Sequence, residues 1–104
     1  MNETLAHHGR LWRWTSAAAN GTWFFVTIDG PAGDALSGTA LMRKLEGAGR
    51  GFGSLKVKAT IGETEFATSV FPSGNEGWLL PVKAAVRKAE EVGEGDEITV
   101  LLEF

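Results

Sequence analysis

The stretch Leu55–Phe71, LKVKATIGETEFATSVF, decides the fold. Leu55, Val57, Ala59 and Ile61 alternate with Lys56, Lys58 and Thr60, the two-residue period of a strand with one apolar and one wet face. Gly62-Glu63 supplies a two-residue connection, and glycine at its first position selects a type II′ turn. Thr64 to Phe71 returns as the antiparallel partner. The turn sets the register: Ile61 opposes Thr64, Ala59 opposes Phe66, Val57 opposes Thr68 and Leu55 opposes Val70. Lys56, Lys58 and Thr60 then share the other face with Glu65, Ala67, Ser69 and Phe71, and Lys58 is expected to reach Glu65 diagonally.

Outward from this hairpin, the chain reads as short elements separated by turn formers. Leu11 to Ala17 is a first strand, and Asn20-Gly21 marks a turn. Trp23 to Ile28 is β-branched and aromatic, a strand buried on at least one face. Asp34 to Glu46 is predicted helical, with Asp34 at the N-cap and Gly38, Leu41, Met42 and Leu45 at helical spacing. Trp78-Leu79-Leu80 is a short strand ended by Pro81, which suits the first position of a second helix. Gly93 is the expected stop of that helix, and Ile98, Val100 and Leu102 point one way in a last strand. The tally is six strands and two short helices, the inventory of a small β-barrel with helices closing its ends. Two matching runs, Asn20 to Phe25 and Asn75 to Leu80, each lead into a helix and hint at an internal duplication.

At 104 residues the chain is expected to be a single domain, 1–104. It has no cysteine, which excludes disulfides and thiolate metal sites. Glycine is in excess, 14 residues, against a usual share of about 7%. The opening MNETLAHHGRLWRW lacks a positive n-region and an apolar h-region, so a soluble cytoplasmic protein without membrane association is expected. Residues 1–9 are expected to be disordered or loosely attached. The net charge of −3 hides two opposed regions. Arg43 to Lys58 holds five bases and one acid, whereas Glu90 to Glu103 holds six acids and no base.

The run Arg50-Gly51-Phe52-Gly53-Ser54, then LKVKATIG, FATSVFP, WLLPVKAAVRKAE and GEGDEITV, resembles the bacterial domain-of-unknown-function family nineteen-zero-five. The likeness covers residues 23–104. It implies a double-split β-barrel capped by helices. The tail, with an apolar triplet, Pro81, Arg87 and Gly95-Asp96 before a strand, is similar to the swapped-hairpin unit of the AbrB and MazE group of dimeric DNA-binding regulators and antitoxins. That second likeness speaks for fold more than for function. The first family's pattern implies that one chain supplies both halves of the barrel.

No catalytic set is legible. His7 and His8 are neighbours on a strand, so they point to opposite faces and share a metal poorly. Ser54, Ser69 and Ser73 have no histidine partner nearby in sequence, and Gly51 and Gly53 lack the spacing of a phosphate-binding loop. Trp12, Trp14, Trp23 and Trp78 read as core and rim rather than as a stacking platform. One constellation remains. Arg50, Lys56 and Lys58 lie around the central hairpin, Lys83 and Arg87 share a face of the last helix, and Ser54, Thr60 and Ser69 offer hydrogen bonds. If the helix caps the barrel beside the hairpin, these groups converge on an anion. Pairing with Glu65, Glu90 and Glu91 as ordinary surface charges is the competing account. The chain is therefore expected to be a non-enzymatic binding domain for a small anionic ligand or a protein partner, with no cofactor and no metal, as a monomer or homodimer. An AbrB-like DNA-binding regulator or antitoxin is the alternative, and an enzyme the third. The acidic tail argues against nucleic acid.

Overall fold

The computed structural model describes residues 4–16, 21–47, 53–74 and 77–104. Its central hairpin joins β3 (Leu55–Ile61) to β4 (Thr64–Pro72) in the register expected from the turn, from Ile61 opposite Thr64 to Leu55 opposite Val70. Gly62 has a φ of +59° while Glu63 stays on the negative side, as a type II′ turn requires. A β-carbon at Gly62 would collide with the Glu90 carboxylate. Glycine is thus needed there for conformation, whereas the flexible Glu90 side chain can move aside.

The remaining strands are β1 (Thr4–Ser16), β2 (Gly21–Ile28), β5 (Trp78–Pro81) and β6 (Glu97–Glu103). They close a six-stranded antiparallel barrel in the order β1-β2-β5-β4-β3-β6. Two strands turn the corners. Thr4–Arg10 of β1 pairs with β6, and Leu11–Ser16 pairs with β2. Likewise β4 pairs with β3 through Val70, and with β5 through Phe71 and Pro72. At the first corner the Leu11 N–H donates to the Asp96 carbonyl at 2.9 Å, and the Leu11 carbonyl accepts from Gly95 N–H at 2.8 Å. The backbone groups released by the change of partner are therefore satisfied.

Helix α1 (Gly30–Leu45) follows β2, and α2 (Ala84–Glu90) follows β5. The strand order is unchanged when β1-β2-α1-β3 is exchanged for β4-β5-α2-β6. One chain thus supplies both halves of the barrel. The paired sequence runs ahead of the helices do not follow this symmetry residue for residue, because Trp23 faces outward whereas its counterpart Trp78 is in the core. Leu11, Val26, Ile28, Val70, Leu80 and Leu102 are fully enclosed between the strands. Each such side chain stabilises the fold by about 1.5–3 kcal/mol.

Several boundaries differ from the sequence reading. Within residues 1–9, expected to be disordered or loosely attached, Thr4–Gly9 forms a strand that continues into Arg10, because β6 offers an outer edge and Leu5 packs against the core. The His7 ring continues the closure. Its Nε2 lies 2.9 Å from the Thr27 carbonyl, where β1 has already left β2. Helix α1 begins four residues early, after Asp29 rather than at Asp34, because Pro31 fits its first turn. Only Ala32, Gly33 and Leu36 of α1 are buried. The predicted stripe of Leu41, Met42 and Leu45 is exposed, since the 16-residue helix runs past the barrel it covers. Pro81 ends β5 opposite Phe25 instead of opening α2, and Val82 N–H still bonds the Phe24 carbonyl. Helix α2 stops before Gly93. Glu91 takes the left-handed conformation, with Val92 N–H bonded to the Arg87 carbonyl and Glu91 N–H to that of Lys88, a Schellman closure without glycine. Among the described residues, no helix is long and apolar enough to cross a membrane.

Candidate functional site

The basic constellation expected from the sequence is spread over the molecule. Lys56, Lys58, Thr60 and Ser69 do share the outer face of β3–β4, with Lys56 opposite Ser69 and Thr60 opposite Glu65. Lys58, however, pairs with Glu103 on β6 at 3.6 Å, because β6 places that carboxylate directly across from it. Ser54 is exposed just before β3, and Arg50 lies outside the described residues. Lys83 stands at the N-terminal end of α2. The Arg87 guanidinium sits 3.7 Å above the Phe24 ring, and its Nε donates to the Val82 carbonyl.

The reason for the separation is how α2 lies. The helix presents Glu90, not its bases, to the hairpin: Thr64 Oγ1 donates to Glu90 Oε2 at 2.5 Å. Arg87 is turned toward β2. Among the described residues, no hydrogen bond or ion pair joins Lys83 or Arg87 to the β3–β4 side chains. A broad cleft lies elsewhere, where α1 leaves β2, and its charged lining residues are Asp29 and Asp34. Gly77 keeps one wall of it close, because a β-carbon there would strike the Ile28 carbonyl. Gly51 lies outside the described residues, and Gly53 adopts a φ of +80° beside Pro72. His7 and His8 face opposite sides, as their spacing requires, and the His8 ring bonds to Thr99 at 2.7 Å.

The four tryptophans divide between core and rim, and the two most exposed of them share one face. Trp78 is core, and its indole N–H donates to Ser37 at 2.9 Å. Trp12 is half-buried, donates to Thr27 Oγ1 at 3.0 Å and packs on Phe25 with ring centroids 5.2 Å apart. Trp14 and Trp23 are 47% and 53% exposed. They are directly opposed across β1 and β2, so they share a face. That face is the outside of the barrel, because the alternate residues Leu11 and Val26 are in the core. Neither indole N–H of this pair has a partner among the described residues.

The same outer face extends sideways. Phe25 opposes Pro81, Thr27 opposes Leu79, and Leu79 opposes Phe71, which is also exposed. The result is an apolar strip across β1, β2, β5 and the end of β4. One signal for it was present in the sequence. Trp23 to Ile28 is almost wholly apolar at both parities, so whichever face entered the core would leave aromatic rings on the other.

No curated protein matches the chain. A family model described as a domain of unknown function, DUF1905, matches residues 8–102, extending the resemblance beyond Trp23 to include most of β1. With the closed six-stranded barrel beneath that match, the chain belongs to the DUF1905 family.

Proposed function

We propose that this chain is a non-enzymatic binding module that takes a protein partner on the outer aromatic face of β1, β2 and β5. The observation that carries this reading is the Trp14–Trp23 pair: two large rings, half in water, with both indole donors unpaired among the described residues. Tryptophan is enriched at protein interfaces because one ring offers both apolar area and a donor. The spread of Lys56, Lys58, Lys83 and Arg87 favours this face over a convergent anion site.

The test compares surfaces. Tagged wild-type domain, a Trp14→Ala/Trp23→Ala variant and a Lys56→Glu/Lys83→Glu variant are used to capture protein from a cell extract, with quantitative mass spectrometry as the readout. The aromatic variant is expected to lose a specific partner that the lysine variant keeps. Loss with the lysine variant alone, or thermal shifts with phosphate, nucleotides or carboxylates that depend on Lys56, would transfer the function to the basic face.

A further inference from the structure

The chemistry of the outer face also narrows its partner. The partner class inferred below rests on the reading that this face takes protein. Trp14 and Trp23 present ring surface and two N–H donors, and an indole has no acceptor to offer. The next row, Phe25 and Pro81, adds apolar rings. These two rows are therefore apolar and donor-only, and the hydroxyls that flank them, Ser16 and Thr27, are engaged within the protein.

Other occupants fit less well. A sugar chain needs several side chains that both donate and accept; on this face the hydroxyls of Ser16 and Thr27 are such groups, and both are already engaged, Thr27 by the Trp12 indole. Single-stranded nucleic acid needs a cationic track beside its stacking rings. Here Arg10 and Arg13 on β1 are matched by Glu97 and Glu94 at 4.0 and 3.5 Å. A second copy needs area. Fully buried aromatics supply about 150–250 Å² each, so two half-exposed rings with a narrow strip fall well below the ~800 Å² per partner of a stable interface. A short extended segment is the occupant of the right size.

A donor-only apolar surface is complementary to a peptide rich in carbonyls and rings and poor in N–H groups. Proline supplies this: no N–H, a flat ring edge to lay on an indole, and a carbonyl to accept the indole hydrogen. Its polyproline II conformation has no internal hydrogen bonds and little entropy left to lose on docking. We infer that the Trp14–Trp23 pair receives a proline-rich segment in the polyproline II conformation.

The intact domain, labelled with 15N, is titrated with a ten-residue polyproline peptide while its four indole N–H resonances are followed. A ten-residue Gly-Ser peptide, cellohexaose and a ten-nucleotide oligothymidine serve as the other probes. The polyproline peptide is expected to shift the Trp14 and Trp23 signals saturably and to leave Trp12 and Trp78 in place. Trp14→Ala or Trp23→Ala should weaken binding at least tenfold. Trp23→Phe, which keeps a ring and removes the donor, should weaken it less. The inference is overturned if polyproline shifts no signal, or if Gly-Ser shifts them equally. Should cellohexaose or oligothymidine move Trp14 and Trp23 instead, the peptide assignment and the protein-partner reading both fail, although the face remains a site. Should polyproline alone fail while the aromatic variant still loses its partner from the extract, the peptide assignment falls and the protein-partner reading stands.

Discussion

The two long hairpins of this barrel, β1–β2 and β3–β4, share a construction and differ in what they show to water. In β3–β4, one face carries Leu55, Val57, Ala59 and Ile61 into the core, and the other carries Lys56, Lys58 and Glu65. In β1–β2, Leu11, Val26 and Ile28 enter the core, yet the outward face is Trp12, Trp14, Trp23 and Phe25. A barrel needs only one apolar face per strand. The lysine-bearing wall meets that need and nothing more. The tryptophan-bearing wall exceeds it, and that excess is the ground for the recognition role proposed for it.

The largest expected effect is on the core side of the aromatic wall. Trp78→Ala should lower unfolding free energy by about 3–5 kcal/mol in urea melts, since an almost fully buried indole leaves a cavity. If it cost no more than Trp14→Ala, the division of the tryptophans into inner and outer roles would collapse. On the lysine-bearing hairpin, Gly62→Ala should cost about 1–2 kcal/mol through its positive φ. Adding Glu90→Ala relieves the collision but not the backbone strain, so the double variant should stay well below wild type in the same melts.

Smaller effects sharpen the contrast. Trp14→Ala and Trp23→Ala should each change stability by no more than about 1 kcal/mol, the scale of a cross-strand pair, while abolishing partner capture. A large destabilisation by either would mean that the pair holds the hairpin together rather than serving a ligand. The smallest change is expected for Lys58→Met. Its ion pair with Glu103 is solvent-exposed and contributes about 0–1 kcal/mol, so chemical melts and partner capture should both remain near wild type.

The register and turn of the β3–β4 hairpin were legible because their determinants are local: a two-residue alternation, a glycine that accepts positive φ, and a short turn that leaves one register, whereas the Lys58 partner, Glu103 in place of Glu65, came from β6. The six strands and two helices were legible for similar reasons. The helix ends were less so. Asp34 and Gly93 are good local caps, but Pro31 and the closure at Glu91 lie nearer the contacts each helix makes. The proposed anion site assumed that a helix bearing Lys83 and Arg87 would face Lys56 and Lys58, and nothing local specifies that orientation.

The sequence by itself therefore determined the strands, the turn chemistry and the wet face of β3–β4, all set by neighbours a few residues apart. Tertiary structure alone decided three other matters. It gave Thr4–Arg10 a strand partner in β6, it sent Glu90 rather than Arg87 to the hairpin, and it put Trp14 and Trp23 outside. The physical reason common to all three is that each outcome depends on segments distant in sequence: a strand finds its partner, a helix its inward side and a strand apolar at both parities its buried face only when those segments close around it.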